Sequence, residues 1–387
     1  MTEAGKQPLK GFLTKTIFII MATVLLLNLF ALAAAALEID AKSVILLDAS
    51  SGRVLFEQNA NEQLPPASLT KIMTALLVLE NKKLTDRVTL PKDFVNVGEA
   101  SAGLAPNETR LVESLLYYLL LRSANDAAQA LALGVSGNEA DFAKLMNARA
   151  KELGLVNTNF VNPHGLNDDK HYSTAADLAA ITRAAMKYDV FNQITAAQEK
   201  TVPWGTGTST KTLQNLNQFL STYEGATGTK TGYTKQAGSC LIATVKRGDT
   251  VLLGVILNSK TMYSQMALLM DYGFVNYENV LMAAKDKVVG TVKVSGGREA
   301  TVDLTVADDV FLLRAVGVKK EPTMVLDIPD SLTAPMEAGT VVGIVSYTDS
   351  EGNVAVGEVT IAKSIEKYSF GVVLQDVLKS VFNSWVK

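Results

Sequence analysis

The alternation of apolar and polar positions divides the chain into stretches of different character. Thr16 to Leu37 is uncharged and mostly apolar, follows Lys6, Lys10 and Lys15, and ends in Ala33-Ala34-Ala35-Ala36. A basic start, an apolar run and a small-residue end predict an export signal over 1–36, and the run can span a bilayer if it stays uncut. Cut or uncut, the lysines remain cytoplasmic and the rest is exported. Ser43 to Asp48 and Arg53 to Phe56 read as a hairpin turning at Ala49 to Gly52. A helix is expected from about Ser68 to Glu80, with Ile72, Met73, Leu76, Leu77 and Leu79 forming a broad apolar face. Another covers about 111–122 and stops at Ser123. The next starts near Asn125-Asp126, both good capping residues. Further helices span 140–153 and 174–186, around a polar, turn-rich loop at 157–177. Lys230 sits at the start of a strand pair, and Ser239 to Lys246 and Val251 to Asn258 form a hairpin through Arg247-Gly248-Asp249. Strands at both ends with helices between them predict an α+β domain over 37–285, an antiparallel sheet flanked by helices.

Near residue 286 the pattern changes. Short alternating segments at 288–294, 300–306, 310–315, 341–347 and 354–360 predict a small all-β domain over 286–363, a spacer or binding platform. In the last stretch, 364–387, Phe370, Val373, Leu374, Val377, Leu378, Val381, Phe382 and Trp385 share one helical face. Gln375, Asp376, Lys379, Ser380, Asn383, Ser384 and Lys387 share the other. This predicts an amphipathic C-terminal helix lying in a membrane surface, or docked on its own domain or a partner.

Composition narrows the chemistry. The 387 residues suit two domains, and with 48% hydrophobic and 19% charged residues a large core is available. A net charge of -3 carries no signal for nucleic acid. Cys240 is the lone cysteine, so no intrachain disulfide forms, and its apolar strand marks it as a core residue. His164 and His171 are the only histidines and read as structural. There is no H-E-x-x-H pair, phosphate loop or dinucleotide fingerprint, so neither metal nor cofactor is expected.

Three motifs in fixed order carry the chemistry: Ser68-Leu69-Thr70-Lys71, Ser123-Ala124-Asn125 and Lys230-Thr231-Gly232. Each alone is weak. Ser364-Ile365-Glu366-Lys367 repeats the first spacing and Ser136-Gly137-Asn138 the second, neither in a promising context. Together they supply a serine nucleophile, a lysine base, a proton relay and a cationic anchor, the parts of an acyl-serine enzyme. Ser68 and Lys71, three apart, share a helix face. Lys71 acts as base only if burial and a second cation, Lys230, lower its pKa. The helix N-terminus favours the oxyanion formed when Ser68 attacks. Ser123 is placed to pass a proton to the leaving amine, and Asn125 to bond the substrate or Lys71. Lys230 and Thr231 offer a charge and a hydroxyl to a terminal carboxylate. Gly232 permits close approach of a peptide backbone, and the Tyr233 N–H is the second oxyanion donor.

Around these motifs the chain resembles the low-molecular-mass penicillin-binding proteins, the serine-type D-Ala-D-Ala carboxypeptidases. The likeness runs through Pro65-Pro66-Ala67-Ser68-Leu69-Thr70-Lys71-Ile72-Met73-Thr74, Ser123-Ala124-Asn125-Asp126-Ala127-Ala128, Asn162-Pro163-His164-Gly165-Leu166 and Gly228-Thr229-Lys230-Thr231-Gly232-Tyr233-Thr234. It covers nearly the whole chain, including signal, β domain and tail. The resemblance implies a penicillin-recognising fold and removal of the terminal D-alanine from the peptidoglycan stem pentapeptide. It implies acylation of Ser68 by β-lactams, Lys71 as proton acceptor, Ser123 as relay, and substrate contacts at Asn125 and Lys230. One departure stands out. Many members carry an arginine nine residues before the Asp of an L-D-Y-G-F-like segment, helping to hold the substrate carboxylate. Here Met262 precedes Asp271-Tyr272-Gly273-Phe274, which leaves that clamp to Lys230 and Thr231, or to nearby Lys260.

Three other readings compete. A transpeptidase or endopeptidase is the nearest, since only the acyl acceptor or the bond cut differs. A class A-like β-lactamase would need a deacylating glutamate in the loop before the third motif, and residues 157–177 contain none. A catalytically silent, membrane-associated cell-wall scaffold would not need Ser68, Lys71 and Lys230 intact.

Overall fold

The computed structural model describes residues 37–204, 208–369 and 371. The expected export signal at 1–36 and almost all of the expected amphipathic tail lie outside these residues. No helix among the described residues is long and apolar enough to cross a membrane.

The chain opens with the expected hairpin, β1 (Ser43–Asp48) and β2 (Val54–Gln58). A 3-10 turn, Ala67–Thr70, then leads into α1 (Lys71–Asn81). Strands β3 (Arg87–Thr89) and β4 (Thr109–Leu111) pair across a long loop. Helices α2 (Val112–Leu121), α3 (Asn125–Ser136), α4 (Glu139–Glu152), α5 (Ala175–Met186) and α6 (Asp189–Ala196) follow. The hairpin β5 (Glu199–Pro203) and β6 (Thr210–Gln214) and the single turn α7 (Phe219–Thr222) lead back to the sheet. There β7 (Ala226–Thr234), β8 (Gly238–Arg247) and β9 (Thr250–Leu257) precede α8 (Met262–Asn276). The sheet runs β2-β1-β9-β8-β7 and is antiparallel throughout, so β7 is an edge strand.

Period-two alternation explains how the sheet holds two layers apart. Ile45, Leu47, Ile242, Leu253, Val255 and Leu257 point into the core built by the inserted helices. Leu46, Gly254 and the neighbouring Leu252 serve the other face, against α8. At Gly254 a side chain would lie 2.7 Å from Met266 Sδ, and at Gly273 of α8 it would lie 2.5 Å from Leu252 Cδ1. Helix and sheet therefore touch through two glycines. Helix α1 lies inside: Lys71 to Val78 is buried without interruption, so the apolar stripe expected from the sequence is in fact a full wrap. Burial of a large aliphatic side chain such as Ile72 or Leu76 stabilises by about 1.5–3 kcal/mol.

The C-terminal part is all β. Strand β10 (Tyr277–Ala283) continues directly from α8 and pairs with β13 (Val310–Ala315). The remaining strands, β11 (Val288–Ser295), β12 (Thr301–Val306), β14 (Thr323–Asp327), β15 (Ser331–Thr333), β16 (Val341–Thr348) and β17 (Val354–Ile361), form one sheet ordered β14-β16-β17-β12-β11-β15. Its core gathers Val292, Leu304, Val306, Leu312, Val345, Val359 and Ile361. The sequence pattern misses β10, β14 and β15: β10 is mostly half-buried without a clean alternation, β14 is mostly exposed, and β15 has three residues, too few for a period to register. Arg53 joins the two parts, donating to the Leu313 carbonyl at 2.6 Å and pairing with Glu351 at 3.0 Å.

The glycine contact between α8 and the sheet makes a testable demand. Gly273→Val should lower stability by about 1–3 kcal/mol by overpacking. Denaturant unfolding measures this, and an unchanged midpoint would mean that α8 can move away from β9 without penalty.

Candidate active site

Lys71 is the first residue of α1 and has no exposed surface. Its Nζ reaches Ser68 Oγ at 2.9 Å, Asn125 Oδ1 at 2.7 Å and the His164 carbonyl at 2.7 Å. Burial lowers its pKa well below the usual lysine value. The charge of Lys230 lowers it further, while Glu99 and Asp126 oppose the shift. The two causes that the sequence suggested, burial and a second lysine, both operate. In the neutral amine, two N–H groups serve the two carbonyl-type acceptors, which can only accept. The lone pair is then left for the Ser68 O–H.

The helix expected at Ser68 begins instead as the 3-10 turn, and the α-helix starts at Lys71. Ala67 enters this turn at φ +49°. The Thr70 hydroxyl donates to the Ala67 carbonyl at 2.8 Å.

Ser123 lies in the break between α2 and α3, with φ +58° and 6% exposure. No hydrogen bond joins it to Lys71 or Ser68. The expected capping roles of Asn125 and Asp126 are not what the structure uses. The N-cap of α3 is Ala124, which makes no side-chain cap bond. The Asn125 side chain turns inward, accepting from Lys71 and donating to the Gly98 carbonyl at 3.2 Å. Asp126, fully buried, accepts from the backbone N–H groups of Ala102, Gly103 and Leu104 at 2.8–3.0 Å and from Ser101 Oγ at 2.7 Å. It thereby pins the loop whose Gly98 and Ala100 carbonyls accept from Asn125. A buried carboxylate satisfied this fully is legible in sequence only as an acidic residue inside an apolar helix.

Lys230 lies mid-strand in β7, not at the start of a strand pair as the sequence suggested. It is 1% exposed, its Nζ donates to the Thr231 carbonyl at 2.8 Å, and burial lowers its pKa to about 7. Thr231 is half-buried and Tyr233 exposed at the sheet edge. A side chain at Gly232 would lie 3.2 Å from Ser68 N and 3.3 Å from Leu69 N. The missing side chain therefore lets the strand lie against the Ser68 turn itself. Met262 is the first residue of α8, and Lys260 is exposed just before it.

The sequence marked 157–177 only as a polar loop, yet it braces the site. Besides the His164 carbonyl, the Pro163 carbonyl accepts from Thr74 at 2.6 Å, and Asn167 accepts from Thr234 of β7 at 2.8 Å. Asn162 Oδ1 closes the turn by accepting from Gly165 N at 2.7 Å. A side chain at Gly165 would fall 1.8 Å from the Ala67 carbonyl oxygen. Both imidazoles are held neutral by burial, His164 at about 3 and His171 at about 4. Among the described residues no cluster of His, Cys, Asp or Glu is arranged to hold a metal ion. A cleft of about 700 Å³ lies elsewhere, lined by Asp48, Arg53, Asp249, Asp309 and Asn353, and contains no serine–lysine pair matching that of Ser68 and Lys71.

Comparison with known proteins gives the family of the chain. Residues 30–261 match the family model described as D-alanyl-D-alanine carboxypeptidase, and residues 277–367 match the penicillin-binding protein 5 C-terminal domain. The chain is 33% identical over 361 residues to the D-alanyl-D-alanine carboxypeptidase DacF of Bacillus subtilis, covering 90% of each. It is 34% identical over 366 residues to DacC of Escherichia coli, again covering 90% of each. Among solved structures it is similar to penicillin binding protein 5 from Haemophilus influenzae, with TM-score 0.67, 28% identity, and 86% of this chain and 100% of that one covered. It is also similar to a peptidoglycan synthesis regulatory factor, PBP3, from Streptococcus pneumoniae, with TM-score 0.77, 27% identity, and coverage of 85% and 100%. With such matches over most of its length, the chain belongs to the D-alanyl-D-alanine carboxypeptidase family.

Proposed function

We propose that the protein is a serine-type D-Ala-D-Ala carboxypeptidase that removes the terminal D-alanine of the peptidoglycan stem pentapeptide and is acylated by β-lactams. The observation that carries this reading is the fully buried Lys71 amine 2.9 Å from the Ser68 hydroxyl. Ser68 gives its proton to Lys71 as Oγ attacks the carbonyl carbon of the penultimate D-alanine. The N–H groups of Ser68 and Tyr233 stabilise the oxyanion. The C–N bond then breaks, and the leaving amine takes its proton through Ser123, yielding free D-alanine and an ester on Ser68. Water attacks the ester with Lys71 as base, and Ser68 recovers its proton. Lys230 and Thr231 hold the terminal carboxylate, Asn125 contacts the peptide, and Gly232 keeps the edge strand close to the nucleophile's turn.

The same proposal includes export through the N-terminal segment, and association of residues 364–387 with a membrane surface through their apolar face. The part before β10 forms the catalytic unit, and the all-β part from β10 to residue 363 serves as spacer or platform between it and the tail.

Intact mass after mixing the protein with benzylpenicillin, followed by peptide mapping, tests the chemistry. A penicilloyl adduct on Ser68 is expected, absent in Ser68→Ala, and Lys71→Met should slow acylation about 10²–10⁴-fold. Rapid penicillin hydrolysis without an adduct would indicate a β-lactamase, and inert penicillin would sink the acyl-enzyme reading.

The pH profile follows from the two buried lysines. Lys71 must be neutral to accept a proton, so kcat/KM on a D-Ala-D-Ala peptide should rise with pH through its lowered pKa. Lys230 must be charged to hold the carboxylate, so kcat/KM should fall again as pH passes about 7. Lys230→Ala should weaken binding, remove the alkaline limb and move the acid limb upward, because the repulsion on Lys71 is gone. An unchanged acid limb would mean that burial alone sets the Lys71 pKa.

A further inference from the structure

We infer that His171 is a positioning residue for the acylation step: acting through Thr70, it holds the turn at Ala67 and thereby aims Ser68. The inference rests on the proposed role of Ser68, and nothing in that mechanism uses His171.

The ring is 3% exposed and packs edge-on against Phe160, with centroids 5.5 Å apart. The backbone N–H of Val161 donates to Nδ1 at 3.2 Å. Nδ1 therefore carries a lone pair, and the neutral ring has its proton on Nε2. Nε2 lies 2.8 Å from Thr70 Oγ1, so Nε2–H donates to that hydroxyl. The hydroxyl must spend its own proton elsewhere, and it does so on the Ala67 carbonyl at 2.8 Å. One backbone N–H thus fixes the direction of every bond in a relay that ends on the residue before Ser68. The neutral ring that this relay needs agrees with the effect of burial on His171.

The turn requires such a hold. Ala67 has φ +49°, in the left-handed region that costs an L residue about 1–2 kcal/mol. Gly165 makes room for the Ala67 carbonyl, since any side chain there would collide with it, but room is not a bond. On the other side Ala67 Cβ and the N–H of Ser68 abut Gly232. A turn that relaxed would move Ser68 relative to both the Lys71 amine and the β7 edge, and sub-ångström placement matters for an attack of this kind.

A double-mutant cycle on Thr70 and His171, read by the rate of benzylpenicillin acylation beside thermal unfolding, tests this. His171→Phe keeps a ring against Phe160 but removes both hydrogen bonds, and Thr70→Val removes the hydroxyl. Each is expected to acylate about 10–100-fold more slowly while folded. The double variant should be no slower than the slower single variant, because both cut one relay. His171→Gln, whose amide supplies an acceptor and a donor, should regain rate. Imidazole nitrogen chemical shifts should report the neutral Nε2–H form. Wild-type rates in the folded single variants, losses that multiply in the double variant, or an Nδ1–H ring would each overturn the inference. If His171→Phe does not fold, Thr70→Ser against Thr70→Val decides: equal rates would overturn it, and a faster Ser variant would support it. A wild-type protein that never forms the adduct would instead overturn the Ser68 reading, and this inference with it.

Discussion

Everything in the candidate site depends on one lysine placed where a charge is costly. Lys71 lies on a helix buried on all sides, and an ammonium there loses its hydration with only partial replacement. Neutralisation relieves that cost, and the three groups within reach, two carbonyl-type oxygens and one hydroxyl, suit a neutral amine. Apolar packing around α1 and base chemistry at its first residue are therefore one physical arrangement. A more solvated helix would leave Lys71 protonated and unable to take a proton from Ser68.

The second buried lysine makes sense in the same terms. Lys230 is buried on β7, where its charge would repel the charge on Lys71. Two like charges near one another in a poorly hydrated space favour the state in which one is neutral. The glycine at 232 makes this closeness possible by bringing the edge strand against the Ser68 turn. The edge of β7 then remains free for an extended peptide, a mode of recognition that uses main-chain bonding to an unpaired strand.

Around this pair the structure adds carbonyls and carboxylates that no motif advertises. The loop at 157–177 grips α1 through the Pro163 and His164 carbonyls, grips the Ser68 turn through His171, and reaches β7 through Asn167. The loop before β4 is gathered by Asp126 and faces Asn125. The site is thus enclosed by two irregular segments, each anchored by a buried polar side chain, while the 3-10 turn, α1, the break before α3 and β7 supply Ser68, Lys71, Ser123 and Lys230.

Much of this was legible in order and spacing. The hairpin β1–β2, helix α1, the break at Ser123 and the hairpin β8–β9 all follow from local periodicity and turn residues, which are short-range properties. The Ser68–Lys71 pair was legible because three residues along a helix fix a distance. Capping at Asn125 and Asp126 was misread because a local preference for helix ends lost to tertiary acceptors and donors. At Gly232 the sequence suggests clearance for a substrate, and the structure adds a close approach to the Ser68 turn. By itself the sequence determined which groups are present, their order, and which segments bury their faces. Tertiary structure alone decided that Lys71 would be dehydrated, that Lys230 would approach it, and that a carbonyl at 164 and a ring at 171 would brace the turn. Those effects depend on burial and on contacts between residues about a hundred or more positions apart, which no local pattern encodes.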